Sequence, residues 1–186
     1  MDGGAHFAGA LDAVAEALLT AERPVIVAGN GVRIAGGYDE LRALAETLGT
    51  PVVTSYLGKS AMAETHDLAA GCIGYTGTPV VNDTLGAADT VLVIGCRLKP
   101  QETCYEHPRL FDPNRQRIFQ IDVDPRNASW TIPAEIALTG DATLTMAALN
   151  TRLADRVDPA QASARRGILA PRAKAHTARF LNMKVS

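Results

Sequence analysis

The sequence predicts a doubly wound α/β domain with a mostly parallel sheet. Three observations carry that prediction. Short apolar runs alternate with helical patterns along the chain, an order that implies right-handed crossovers and helices on both faces of a sheet. Four turns that carry Gly or Asp stand at the ends of apolar runs: Ala28-Gly29-Asn30-Gly31, Ile94-Gly95-Cys96-Arg97, Ile121-Asp122-Val123-Asp124-Pro125 and Thr139-Gly140-Asp141-Ala142. The run Thr90 to Ile94 has no polar alternation, as expected of a strand buried on both faces.

A first helix is expected from about Ala8 to Ala21, where Leu11, Val14, Ala15, Leu18 and Leu19 recur at helical spacing. Val25 to Ala28 reads as a strand, followed by a Gly-rich turn. A second helix, about Tyr38 to Leu48, places Leu41, Leu44, Ala45 and Leu48 on one face, with Asp39 and Glu40 in its first turn and Gly49 as its stop. Pro51 to Thr54 reads as a second strand. Ser55 to Gly77 reads as a long loop whose Gly58, Gly71, Gly74 and Gly77 allow positive φ or close approach. Thr78-Pro79 offers an N-cap and a first-position Pro for a helix to about Ala88. After the strand Thr90 to Ile94, Lys99 to Gln116 reads as irregular. Arg117 to Ile121 and Glu135 to Leu138 are further strands, and Gly140-Asp141 leads into a last helix through Leu144, Ala148 and Leu149.

A length of 186 residues with 47% hydrophobic and 20% charged content is that of one ordinary globular domain. The apolar runs are far too short to cross a bilayer, so no membrane partner is expected. The N-terminus has neither the basic nor the apolar part of a secretory signal. Cys72, Cys96 and Cys104 form no paired framework, which fits a reducing compartment, and the expected location is cytoplasmic. Cys104-Tyr105-Glu106-His107 lacks the second ligand pair that a zinc site needs. From Arg152 to Ser186 eight basic residues face two acidic ones, leaving −8 on residues 1–151. Without interleaved aromatics, that basic stretch reads as a solvated helix face or linker rather than a nucleic-acid site.

In an open α/β sheet, ligands lie beyond the carboxyl ends of the strands. The turns there are therefore the candidate binding residues: Gly29, Asn30, Gly31, Thr54, Gly95, Arg97, Asp122, Asp124, Gly140 and Asp141. Gly29-Asn30-Gly31 resembles the opening of a dinucleotide fingerprint, but the third glycine position is Ile34 and the ribose carboxylate position holds Val52-Val53-Thr54. This argues against an NAD-linked dehydrogenase, and a structural turn explains the glycine pair equally well. Gly58-Lys59-Ser60 ends like a P-loop, yet its first glycine position is Val53. Asp122 and Asp124 fall on one side of an extended backbone, and each suits either a ribose hydroxyl or a turn cap. Asp141 suits the same two roles, with an N-cap as its structural alternative. Arg97 suits a diphosphate, or a bridge to Asp122 or Asp141. His66 and His107 have no neighbouring nucleophile, so no catalytic residue is expected.

The order of these motifs resembles the central domain of thiamine-diphosphate-dependent enzymes of the acetolactate synthase and benzoylformate decarboxylase type. The resemblance covers about Leu11 to Leu153 and rests on the segments Pro24 to Gly31, Thr50 to Thr54, Gly58 to Ser60, Gly71 to Gly74, Ala88 to Leu98, Ile121 to Pro125 and Gly140 to Ala142. It implies a Rossmann-like, three-layer domain of about six strands over residues 1–153, with residues 154–186 a linker or loosely packed basic tail. It also implies pyrimidine-binding and diphosphate-binding domains as partners, and a homodimer or homotetramer. Thiamine diphosphate and Mg belong to that parent enzyme rather than to this chain, and the catalytic glutamate would lie upstream of residue 1. FAD, ADP or nothing occupies the central domain across such enzymes. FAD-binding members resemble Gly-x-Arg-Phe-Asp-Asp-Arg where this chain reads Gly95-Cys96-Arg97-Leu98-Lys99-Pro100-Gln101, and they usually hold His where this chain has Thr76.

Two functions follow as expectations. One is a non-catalytic central domain, of FAD/ADP-binding type or purely structural, within a carboligase or decarboxylase acting on 2-oxo acids. The other is a stand-alone nucleotide-binding regulatory module. Apolar surface on the first helix and around Trp130 would favour the first.

Overall fold

The structure, a computed structural model, describes residues 3–167. Six strands form one parallel sheet: β1 (Pro24–Ala28), β2 (Val52–Thr54), β3 (Ala69–Cys72), β4 (Thr90–Ile94), β5 (Arg117–Asp122) and β6 (Ile136–Thr139). The order across the sheet is β3-β2-β1-β4-β5-β6. The chain builds outward from β1 in one direction, then returns to lay β4 on its other side. The reversal falls between β1 and β4, the place where such sheets open a crevice at their carboxyl ends.

Side-chain alternation divides the core in two. Ile26, Ala28, Val52, Leu92, Ile94, Phe119 and Ile121 face the helices α1 (Gly3–Thr20), α3 (Tyr38–Leu48) and α5 (Ala142–Leu153). Val25, Val27, Val53, Val91, Val93 and Ile118 face the opposite way, toward α4 (Pro79–Gly86) and the apolar residues Leu98, Leu110, Phe111 and Ile132. Each fully buried aliphatic side chain contributes about 1.5–3 kcal/mol, so a continuous double layer of them fixes the strand register. On the second face, the β4–β5 connection is the irregular segment expected from the sequence. It is held by the buried Gln116, whose Nε2 donates to Leu85 O at 2.9 Å and Leu110 O at 3.3 Å.

The helix at Tyr38–Leu48 and its left-handed Gly49 stop stand as expected, with Gly49 at φ +65°. Two elements differ from the sequence reading. The stretch read as a loop from Ser55 to Gly77 contains β3, whose Ala-Ala-Gly-Cys sequence has no branched or aromatic residue and which pairs on one side only. The Gly-rich turn after β1 continues into the one-and-a-half-turn helix α2 (Asn30–Ala35). Thr78 does occupy the N-cap of α4 ahead of Pro79, but its hydroxyl makes no capping bond and is buried without a partner.

Residues 159–167 form a further helix, α6, within the segment expected to be a linker or loose tail; residues 168–186 of that segment lie outside the described residues. Arg165 of α6 is 2% exposed. Its Nη1 donates to Leu48 O at 3.2 Å, and its Nη2 donates to Leu18 O at 3.0 Å, Leu19 O at 3.1 Å and Ala21 O. One guanidinium thus satisfies the orphan carbonyls at the ends of both α1 and α3. Gly49 permits the approach, since a Cβ there would stand 2.1 Å from Ala162 O.

Candidate functional site

Beyond the carboxyl ends of β1, β4, β5 and β6 lies a cleft of about 490 Å³, within the size range of small-molecule sites. Of the residues expected at the strand ends, Asn30, Gly31, Gly95, Arg97, Asp122, Asp124 and Asp141 line it. Gly29, Thr54 and Gly140 do not. Gly29 packs behind against Cys96, Thr54 is buried with its Oγ1 3.5 Å from Gly71 O, and Gly140 donates to Asp122 O at 2.9 Å. Ile34, Ser55, Leu57, Lys99, Glu102 and Asn127 are among the other lining residues and were not among the site residues expected from the sequence.

The glycines zip two loops together. Gly29 N donates to Ile94 O at 2.8 Å and Gly31 N to Gly95 O at 2.9 Å. A Cβ on Gly29 would stand 2.1 Å from Gly95 O, and one on Gly31 would stand 2.6 Å from Gly95 Cα. Gly95 itself adopts φ +58°. The pair is therefore required by loop-on-loop contact, and its backbone donors are already spent.

The carboxylates are half committed. Asp141 caps α5, its Oδ1 accepting from Leu144 N at 3.0 Å. Asp122 Oδ1 accepts from Asp124 N and from Asn127 Nδ2, both at 3.0 Å. Among the described residues, Oδ2 of each has no hydrogen-bond partner. Asp124 accepts from Arg126 N at 3.0 Å and takes the Arg126 guanidinium at 2.6 Å. That pairing holds its carboxyl down at about 2.

Arg97 pairs with neither Asp122 nor Asp141. Its guanidinium lies over the Trp130 ring, 5.4 Å from the centroid. Glu102 is the buried carboxylate of the lining, 8% exposed. Its Oε2 accepts from Lys99 N at 2.9 Å and from the Cys96 thiol at 3.4 Å. Burial first, and then the Glu102 charge, push the Cys96 thiol far up, so it remains a protonated donor.

These residues fit the two halves of an adenine nucleotide unequally. Free carboxylate oxygens beside the apolar Ile34, Ala35 and Leu57 suit a hydroxylated ring compound. The glycine turn does not fit the diphosphate of FAD or ADP, because the N–H groups of Gly29 and Gly31 are directed at backbone carbonyls. His66 bonds Glu46 at 3.0 Å, and His107 accepts from Arg109 N at 3.1 Å; neither residue lines the cleft. Among the described residues no three His, Cys, Asp or Glu side chains are placed to hold a metal ion, and no helix is long and apolar enough to cross a membrane.

The family described as thiamine pyrophosphate enzyme, central domain, matches residues 11–149. Sulfoacetaldehyde acetyltransferase of Alcaligenes xylosoxydans xylosoxydans is 38% identical over 145 residues, covering 78% of this chain and 24% of that protein. A protein of Methanocaldococcus jannaschii described as a probable acetolactate synthase large subunit is 39% identical over 128 residues, covering 69% of this chain and 21% of that protein. A crystal structure from Mycobacterium smegmatis, described as a thiamin diphosphate-dependent enzyme, superimposes with a TM-score of 0.63 at 29% identity. It covers 82% of this chain and 29% of that one. The chain spans about a quarter of the length of the curated relatives it matches.

Proposed function

The chain belongs to the thiamine pyrophosphate enzyme central-domain family, and from that membership we propose that it is the non-catalytic middle domain of a thiamine-diphosphate-dependent carboligase or decarboxylase acting on 2-oxo acids. The observation that carries this reading is the extent of the match. It runs across the six-stranded sheet and its helices, yet fills only about a quarter of relatives whose names are those of whole enzymes. In such a parent, thiamine diphosphate with Mg would supply the nucleophile and electron sink for chemistry beside a carbonyl. The pyrimidine-binding and diphosphate-binding domains would hold it.

This domain would contribute scaffold, subunit contacts in a homodimer or homotetramer, and a nucleotide-type cleft at the sheet's switch point. Residues 1–153 would be the domain proper, continued by residues 154–186 toward the neighbouring domain. Exposed apolar residues at the cleft support a covered surface: Ile34 and Val123 of the lining are 80% and 73% exposed, and Trp130, beneath Arg97, is 53% exposed. None of the large exposed apolar residues falls on α1, so the support comes from the cleft rim.

The test is direct. The purified chain, supplied with thiamine diphosphate, Mg²⁺ and pyruvate, is expected to release no CO₂ above a protein-free control. Release that scales with chain concentration would overturn the assignment of catalysis to flanking domains.

A further inference from the structure

We propose that Glu102 is a ligand-recognising residue, and that the cleft takes an uncharged, donor-rich nucleoside in preference to a nucleoside diphosphate; the inference rests on reading the cleft as a nucleotide-type site. Glu102 is more than nine-tenths buried and lines the cleft. Its two oxygens differ. Oε2 is fixed by the Lys99 N–H and the Cys96 thiol, whereas Oε1 has no hydrogen-bond partner among the described residues. Oε1 is thus an acceptor open to the cleft, within reach of a donor on a ligand. The raised Cys96 thiol stays protonated at neutral pH and keeps Oε2 engaged, leaving Oε1 for the ligand.

The remaining lining agrees with a ligand of donors rather than anions. Asp122 and Asp141 each present one free oxygen to the cleft, an acceptor for a ligand hydroxyl. The lining holds four carboxylates, on Glu102, Asp122, Asp124 and Asp141, against the cations Arg97 and Lys99, and only Asp124 is neutralised, by Arg126. A diphosphate would meet this surplus of negative charge without the glycine-turn donors, which Ile94 O and Gly95 O already occupy. The apolar side chains of Ile34, Leu57 and Ala142 supply a surface for a planar base.

Calorimetric titration of the full chain with adenosine, ADP and FAD tests this. Adenosine is expected to bind at least as tightly as ADP. Glu102→Gln is expected to weaken adenosine by roughly tenfold, because the amide oxygen must serve Lys99 N and its NH₂ then faces the donor-bearing ligand. ADP or FAD binding tenfold tighter than adenosine would overturn the preference while leaving a nucleotide cleft in place. Unchanged adenosine affinity in a folded Glu102→Gln would overturn the role of Glu102. Heat from none of the three ligands would overturn the nucleotide-type reading and this inference with it. The comparison of adenosine with ADP on the unmodified chain decides the preference even if the variant does not fold.

Discussion

A side chain on Gly31 would collide with the backbone of Gly95: its Cβ would stand 2.6 Å from the Gly95 Cα, while the Gly31 N–H already donates to Gly95 O at 2.9 Å. The first and fourth strands are therefore joined past their ends as well as along their length. Gly31→Ala is expected to lose about 1–3 kcal/mol, the usual cost of forcing atoms into a packed contact. Urea denaturation measures it. Gly9 is the control: it lies inside α1 with nothing within 4 Å of its Cβ position, so Gly9→Ala should gain about 0.5–1 kcal/mol. Equal effects at the two sites would sink the close-approach account.

Arg165 should be among the most sensitive positions. Arg165→Met leaves the Leu18, Leu19, Ala21 and Leu48 carbonyls without this donor, and a loss of about 3 kcal/mol is expected. Arg165→Lys should recover less than half, because an ammonium lacks the planar fork that spans two helix ends. Full recovery by Lys would show that charge alone matters there.

Alkaline stability should depend on Cys96. Its folded pKa is raised above the ordinary 9.0 by burial, so the unfolded chain ionises first. The contribution is complete below pH 9.0 and is lost as pH rises beyond it, with a slope approaching about 1.4 kcal/mol per pH unit. Cys72 is raised in the same direction, mainly by burial, and adds to the slope. Cys96→Ser should flatten the curve between pH 9 and 10.5 by roughly one proton's worth. An unchanged slope would mean that the thiol is reachable by solvent.

Asp141 permits its capping role to be separated from a role in the cleft. Asp141→Ala should cost about 1 kcal/mol through the lost bond to Leu144 N, and Asp141→Asn should restore most of it, since Asn caps comparably. Thermal unfolding of the two variants reads the difference. An Asn variant as unstable as Ala would point to carboxylate charge, rather than the cap, as the stabilising element.

The parts of this fold legible in the sequence are those whose signals are local. The helix Tyr38–Leu48 carries its apolar face, its acidic first turn and its Gly49 stop within a dozen residues. Three of the sheet's four interior strands, β1, β4 and β5, are mostly apolar runs long enough to stand out. β3 escaped because Ala69-Ala70-Gly71-Cys72 has no residue that favours a strand; neighbouring β2 supplies its pairing. In the cleft, strand-end logic named Asn30, Gly31, Gly95, Arg97 and the three aspartates, which line it together. It left the role of each aspartate open, and the structure places all three in turn or helix caps with oxygens to spare on Asp122 and Asp141. Arg97 rests on Trp130, a partner outside every motif, and Glu102 sits in a segment with no periodicity. Both are products of tertiary folding, so no local pattern announces them.

The helix at 159–167 sets a practical limit on where this domain ends as a foldable unit. The family match stops at residue 149, and the last helix of the sheet at Leu153, so a protein engineer transplanting the domain would naturally cut there. Such a graft would discard Arg165, which bonds the C-terminal ends of two core helices, together with Gln161 and Arg166, which donate to Ala21 O and Glu46 O, and would open Gly49 and its neighbours to water. Chimeras carrying the sequence through residue 167 keep that seal, which makes the junction downstream of α6 the sound place to join a foreign partner.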